Sequence, residues 1–190
     1  MKNSVEKYGG FYIGRYETSR SRVSSIPVVK RITTQDRGRI WTFISPQNIQ
    51  IACRNMYADN ETVMGFLPYG INFDTVLQWL MDTGCKTEYD IRVDSTSWGN
   101  YSNNTFTGNV TSGTTGMFEE AKANNIYDLA GNYWEWTAER LGYNYVMRCG
   151  GYNIMGGACT GSAFPVANRD PLPGSNHHPN VSFRVCLYLK

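Results

Sequence analysis

The sequence predicts an α+β fold in a single domain spanning residues 1–190. Three observations carry that prediction. The first half holds two helix signals with apolar faces. The last third, from Ile126 onward, is rich in Gly and Trp and reads as short strands joined by turns. No internal repeat or shift in composition divides the chain into two domains.

Taken in order, Tyr8 to Glu17 is a strand-like aromatic segment in which glycines permit a bend. Little precedes it, which leaves room for a truncation at the N-terminus. Thr18 to Arg39 is rich in Ser, Thr and Arg and reads as a long loop. Ser45-Pro46 announces a helix, because serine accepts a free amide at the N-cap and proline fits the first turn. Ile49, Ala52, Cys53, Met56 and Tyr57 then fall on one helical face. A second helix is expected from Asp74 to about Asp82, with Val76, Leu77, Leu80 and Met81 inward, Trp79 at the edge of that face and Gly84 as the stop. Ser95 to Gly116 is loop and short hairpin by composition. Met117 to Asn124 suggests a helical turn.

The bulk properties narrow the function classes. A hydrophobic share of 41% and a charged share of 18% are globular values. The 13 Tyr and 5 Trp stand beside many Gly, Asn and Ser, a mixture that binding loops favour and that a loop-rich β fold also produces. The net charge of +2 and the scattered early arginines form no dense basic stripe, so no nucleic-acid partner is expected. The five cysteines contain no C-x-x-C pair, so neither a zinc ribbon nor a thioredoxin-type site is encoded. No signal peptide and no apolar run near transmembrane length occurs. Membrane insertion is therefore not expected. The expected location is the cytoplasm, or a phage particle or cell surface reached through a region missing from this chain.

The densest motif is Asn125-Ile126-Tyr127-Asp128-Leu129-Ala130-Gly131-Asn132-Tyr133-Trp134-Glu135-Trp136-Thr137. Gly131-Asn132 is a turn signal, since both residues tolerate positive φ. Trp134 and Trp136 alternate with Glu135, so both indoles fall on one side of a strand. Near the end, Phe183, Val185, Leu187 and Leu189 share the core face of a strand at period two. Cys186 stands beside Arg184 and Tyr188 on the other face. A buried Arg184 needs several acceptors, such as backbone carbonyls or Glu135.

These residues resemble the formylglycine-generating-enzyme (sulfatase-modifying factor) superfamily. The resemblance extends to Gly10-Phe11-Tyr12-Ile13-Gly14-Arg15-Tyr16-Glu17, to Arg148 with Gly150-Gly151, and to Ser182-Phe183-Arg184-Val185. It implies a C-type-lectin-like fold with two helices, a small twisted antiparallel sheet and long loops. It also implies a candidate calcium site at Asp128, Gly131, Tyr133 and Glu135, where oxygen ligands suit a hard cation. No other cofactor is expected.

The resemblance argues against the family's oxidase chemistry in this chain. That chemistry uses a copper-binding cysteine pair after the Gly-Gly element. Here Met155 stands at the first thiol position, and Cys159 lies near the second but out of register. The iron-dependent relatives use a histidine-rich site, whereas this chain has only the adjacent His177 and His178, whose side chains point oppositely on an extended segment. The expectation is a protein that is not an enzyme.

A second branch of the same fold is the closer resemblance: the variable proteins of diversity-generating retroelements, found in phages and gut bacteria. The matching positions are Arg148, Gly150-Gly151, Pro165-Val166-Ala167-Asn168-Arg169, Pro173, Asn176 and Val181 to Tyr188. In that branch, asparagine codons of the C-terminal region are randomised. Residues 149–190 are then a candidate variable region that binds a protein or cell-surface ligand. Its candidate contact residues are Cys149, Tyr152, Asn153, Ile154, Phe164, Asp170, Leu172, His177 and His178. Tyr152, Ile154, Phe164 and Leu172 would be the anchors. A metal-dependent oxidoreductase of the formylglycine-generating class and a structural module of a larger phage or surface protein are the alternatives.

Overall fold

The computed structural model describes residues 2–21, 24–35, 39–102, 104, 106, 114–148, 151–152, 165–175 and 177–190. The elements run α1 (Lys2–Tyr8), β1 (Tyr12–Ile13), β2 (Ser19–Arg20), β3 (Pro27–Val28), α2 (Pro46–Asn55), β4 (Val63–Phe66), α3 (Gly70–Asp82) and α4 (Glu88–Arg92). They continue with β5 (Lys122–Ala123), β6 (Ile126–Tyr127), β7 (Trp134–Leu141), β8 (Asn144–Arg148), β9 (Arg169–Pro173), β10 (Val181–Phe183) and β11 (Cys186–Leu189). This is an α+β fold with few helices and small sheets, as the sequence predicts.

Two sheets organise the strands. One is three-stranded and antiparallel in the order β1-β11-β4, with Ile13 opposite Cys186 and Cys186 opposite Phe66. The other is four-stranded in the order β10-β7-β8-β9. Within it β10 runs parallel to β7, pairing Ser182 with Glu135, and the remaining pairs are antiparallel. Arg184 and Val185 carry the chain from the second sheet into the first.

Local chemistry accounts for the helices. Ser45 Oγ accepts the amide of Asn48 at 3.3 Å and Pro46 opens α2, which buries Ile49, Ala52 and Cys53. The second helix begins at Gly70 rather than Asp74, because Asn72 Oδ1 accepts the Tyr69 amide at 3.0 Å and supports an earlier start. Gly84 stops it with φ +69°, and Val76, Leu77 and Leu80 are buried. Trp79 is exposed.

Several expectations change. Tyr8 to Glu17 is mostly not strand: Tyr8 ends α1, and Tyr12–Ile13 alone pair with β11. The expected loop from Thr18 to Arg39 contains the β2–β3 hairpin. In place of a helical turn at 117–124 there is the β5–β6 hairpin, with Asn124 and Asn125 at φ +44° and +66°. Two positive φ values in a two-residue connection suit such a hairpin, and asparagine tolerates them. α4 was not anticipated, although Thr87 caps it by accepting the Asp90 amide at 3.1 Å. Cys186 is buried like Val185, whereas Leu187, Tyr188 and Leu189 of β11 are half-buried.

The core forms two clusters. One gathers Phe73, Leu80, Ile91, Trp98, Leu129 and Val166 beneath α3 and α4. The other gathers Ile49, Cys53, Trp136, Met147, Phe183 and Val185 between α2 and the larger sheet. Trp134 packs against this second cluster from a half-buried position, so both indoles serve one side of β7. Among the described residues the Trp136 indole N–H has no hydrogen-bond partner.

Candidate binding face and the scaffold beneath it

Arg184 is wholly buried and its guanidinium is fully engaged. Nε donates to both Glu135 oxygens at 3.1 and 3.3 Å, and Nη2 donates to Glu135 Oε1 at 2.7 Å. Nη1 reaches the carbonyl of Gly14 at 3.0 Å, and Nη2 also reaches those of Tyr127 at 3.0 Å and Asp128 at 3.4 Å. One side chain thus ties together β7, the segment after β1, the β6 turn and the link into β11. Burial opposes its charge, but Glu135 with Glu17 and Asp128 holds it firmly protonated.

Asp128 is equally committed. Its carboxylate accepts from Asn100 Nδ2 at 2.8 Å, Thr115 Oγ1 at 2.9 Å and the Gly116 amide at 2.8 Å. Its own φ is +55°, and it opens the turn that contains Gly131 and Asn132 at φ +84° and +59°. A Cβ on Gly131 would overlap the Asn100 backbone, so this close approach requires glycine. Asn132 donates its side-chain amide to Glu17 and to the Thr114 carbonyl at 2.8 Å.

Glu17 is the residue that sequence reading missed. It is buried and accepts from Asn132, from the Tyr133 amide at 3.2 Å and from Ser182 Oγ at 3.4 Å. Its position after Tyr16 in the early motif was the available signal. Burial pushes its carboxyl well above the usual range, and the nearby Asp128 and Glu135 push it further. Burial also raises Asp128 and Glu135, against the pull of Arg184.

The same groups make up the candidate calcium site. The Asp128 and Glu135 carboxylates are occupied by protein donors, Tyr133 gives its amide to Glu17, and Gly131 serves the turn. Among the described residues no group of three or more His, Cys, Asp or Glu side chains is placed to hold a metal.

A second ionic group lies at the rim of the larger sheet. Arg148 and Arg169 face each other across β8 and β9. Asp74 of α3 accepts from Arg148 Nη2 at 2.7 Å and also from Arg169. Glu139 accepts from Arg169 Nε at 3.1 Å and lies 3.8 Å from Arg148 Nη1. The shared acids relieve the repulsion of the two like charges. Arg148 is buried with its guanidinium 4.7 Å from the Phe73 ring centre, and its Nε and Nη1 make no hydrogen bond among the described residues. Burial lowers its affinity for the proton.

The expected contact residues spread along this side and the far end of the sheet. The Tyr152 amide donates to the Asn132 carbonyl, and its carbonyl accepts from the Ser102 amide at 3.2 Å, so the scaffold turn fixes its backbone. Its side chain is half-buried. Asp170 and Leu172 stand on β9 opposite Met147 and Tyr145. Leu172 packs against the second core cluster, so it contributes to the fold as well as to the surface. His177 is exposed and lines a cleft with Trp41 and Phe43. His178 is half-buried: its carbonyl accepts the Phe43 amide at 3.2 Å and its Nδ1 accepts the Asn180 amide at 3.2 Å. Cys149, Asn153, Ile154 and Phe164 lie outside the described residues, as do Met155 and Cys159. Cys53 and Cys186 are buried core thiols, and burial pushes Cys53 up to about 12. No helix of the described residues is long and apolar enough to cross a membrane.

No family model matches the sequence, and no curated protein matches it. Solved structures do. A structure titled CarF shares 15% identity over 99% of this chain and 80% of its own, with a TM-score of 0.60. PvdO from Pseudomonas aeruginosa shares 13% identity over 94% of this chain and 80% of its own, also with a TM-score of 0.60. Treponema denticola variable protein 1 aligns over 65% of this chain and 47% of its own, with 18% identity and a TM-score of 0.43. At these identities the likeness speaks to architecture, and the chain has the formylglycine-generating-enzyme-like α+β fold.

Proposed function

We propose that this protein is a non-enzymatic binding protein. In this reading the C-terminal region displays variable side chains on a fixed scaffold, in the manner of a diversity-generating retroelement variable protein. The observation that carries the reading is the full commitment of the motif's polar groups to the fold. Arg184, Glu135, Asp128, Asn132 and Glu17 satisfy one another and the backbone, which leaves the motif no free nucleophile, base or ligand set. His177 is exposed, Tyr152 and Asp170 are half-buried, and none of the three belongs to either core cluster. Ligands of this face are a protein or cell-surface partner, with aromatic and aliphatic anchors providing most of the affinity.

Two measurements test the proposal. The DNA beside the coding sequence should contain a near-copy of the 149–190 segment that differs at adenines, close to a reverse transcriptase gene. Loading the protein with copper or iron should give no stoichiometric tight metal and no thiol-dependent oxygen consumption. Finding both the metal and the oxygen consumption would instead establish the oxidoreductase alternative.

A further inference from the structure

A cleft of about 370 Å³ lies between α2 and the segment leading into it, at the end of the molecule that carries His177. Its volume falls within the range of small-molecule sites. Asn48, Ile51 and Asn55 form its helical wall at spacings of three and four residues, so one side of α2 faces it. Trp41 forms the opposite wall, anchored from behind by Phe183 with ring centres 5.8 Å apart.

Two features of this cleft lie outside both core clusters. Phe43 holds φ +56° and is 62% exposed. A bulky residue in the left-handed region is strained, and this ring recovers little of that cost by burial. Ile51 is likewise 58% exposed at the same opening. The backbone of Phe43 is fixed by its hydrogen bond to the His178 carbonyl, so the ring is held at the rim.

The second feature is electrostatic. Arg20 stands with its guanidinium 5.8 Å from the Trp41 ring centre and makes no ion pair among the described residues. Elsewhere Arg92 pairs with Glu88, Lys122 with Glu119, and Arg169 with Asp74 and Glu139. No Asp or Glu is among the described residues lining the cleft, whereas Arg20 and the Asn48 and Asn55 amides supply donors. A cation over an indole, flanked by amide donors and two exposed apolar side chains, complements an anion that carries a flat apolar body.

We propose that this cleft binds a small aromatic carboxylate. The ring lies against Trp41 between Phe43 and Ile51, and the carboxylate meets Arg20. His177 is the one described lining residue that belongs to 149–190, so this site stands whether or not the C-terminal face is variable.

Titration with 3-phenylpropionate, followed by NMR and calorimetry, tests it. Saturable binding should shift the Trp41 indole and His177 resonances. The uncharged 3-phenylpropanamide should bind at least about tenfold more weakly, and Arg20→Gln should cost the acid a similar factor, as expected for a charge-assisted hydrogen bond. Phe43→Gly should weaken binding while leaving Tm unchanged or higher, because glycine relieves the φ strain. No saturable binding, equal affinity for acid and amide, or an unaffected Arg20→Gln variant would overturn the proposal. Tighter binding of a tripeptide ending in phenylalanine than of the free acid would overturn the small-molecule assignment.

Discussion

Glu135 and Arg184 form a two-pronged ion pair in the core, with both carboxylate oxygens within 3.3 Å of Nε and one of them 2.7 Å from Nη2. Because Ser182 is the register partner of Glu135, the pair links β7 to the strand that leads into Arg184. Removing one partner strands the other charge in a dry interior. Arg184→Ala should therefore cost about 3–5 kcal/mol, and Glu135→Ala a similar amount. Urea unfolding checks both. A loss below about 1 kcal/mol would mean that water reaches the pair.

The three buried carboxyls give stability a pH dependence of known sign. An unfolded glutamate releases its proton near 4.5, whereas folded Glu17 keeps it to higher pH. Between those values the folded chain holds the extra proton, so stability falls as pH rises through the window and is greatest below it. Asp128 and Glu135 are raised in the same direction and add to the slope. Asp90, lowered chiefly by its hydrogen bond from Thr87, acts oppositely, and its contribution is lost at acid pH. Unfolding free energies measured from pH 5 to pH 8 should decline, by at most about 1.4 kcal/mol per pH unit for each proton. Glu17→Gln should flatten the decline.

Calcium should not stabilise the protein. A cation bound at a hundred times its Kd adds about 2.7 kcal/mol. With Asp128 and Glu135 engaged by protein donors, Tm in millimolar calcium and in chelator should coincide. A rise of several degrees with calcium would establish the cation site.

The two tryptophans of the motif should separate. Trp136 is wholly buried, so Trp136→Ala should cost about 3–5 kcal/mol. Trp134 is half-buried, and its replacement should cost less. Leu172→Ala should also be felt, because Leu172 packs against the same cluster. Thermal or urea unfolding of the three variants gives the order.

Much of this was legible in the sequence, and the exceptions have physical reasons. Ser45-Pro46 located α2 to the residue, because capping is a local event. The Arg184 partners were legible because a buried guanidinium must find acceptors, and a carboxylate two residues into the Trp strand was the nearest candidate. The α3 start was not, since its first turn is supported by Asn72 reaching back to Tyr69 rather than by a serine or aspartate cap. The hairpin at Asn124-Asn125 was missed because the apolar spacing around it also suits a helical turn. Glu17 escaped notice because its burial depends on Asn132 and Ser182, more than a hundred residues away in sequence. Nothing local marks such a contact.

In the proposed reading the framework holds the fold while the C-terminal face is free to change. A triple variant with Tyr152, Asp170 and His177 replaced by Ala tests it most directly by equilibrium urea unfolding. Changes at exposed positions usually fall within about 0.5 kcal/mol each, half-buried ones outside the core cost little more, and the effects add when the sites are well separated. The account predicts that the triple variant stays within about 1.5 kcal/mol of the parent. A loss of about 4 kcal/mol or more would mean that these side chains are part of the core and would contradict it.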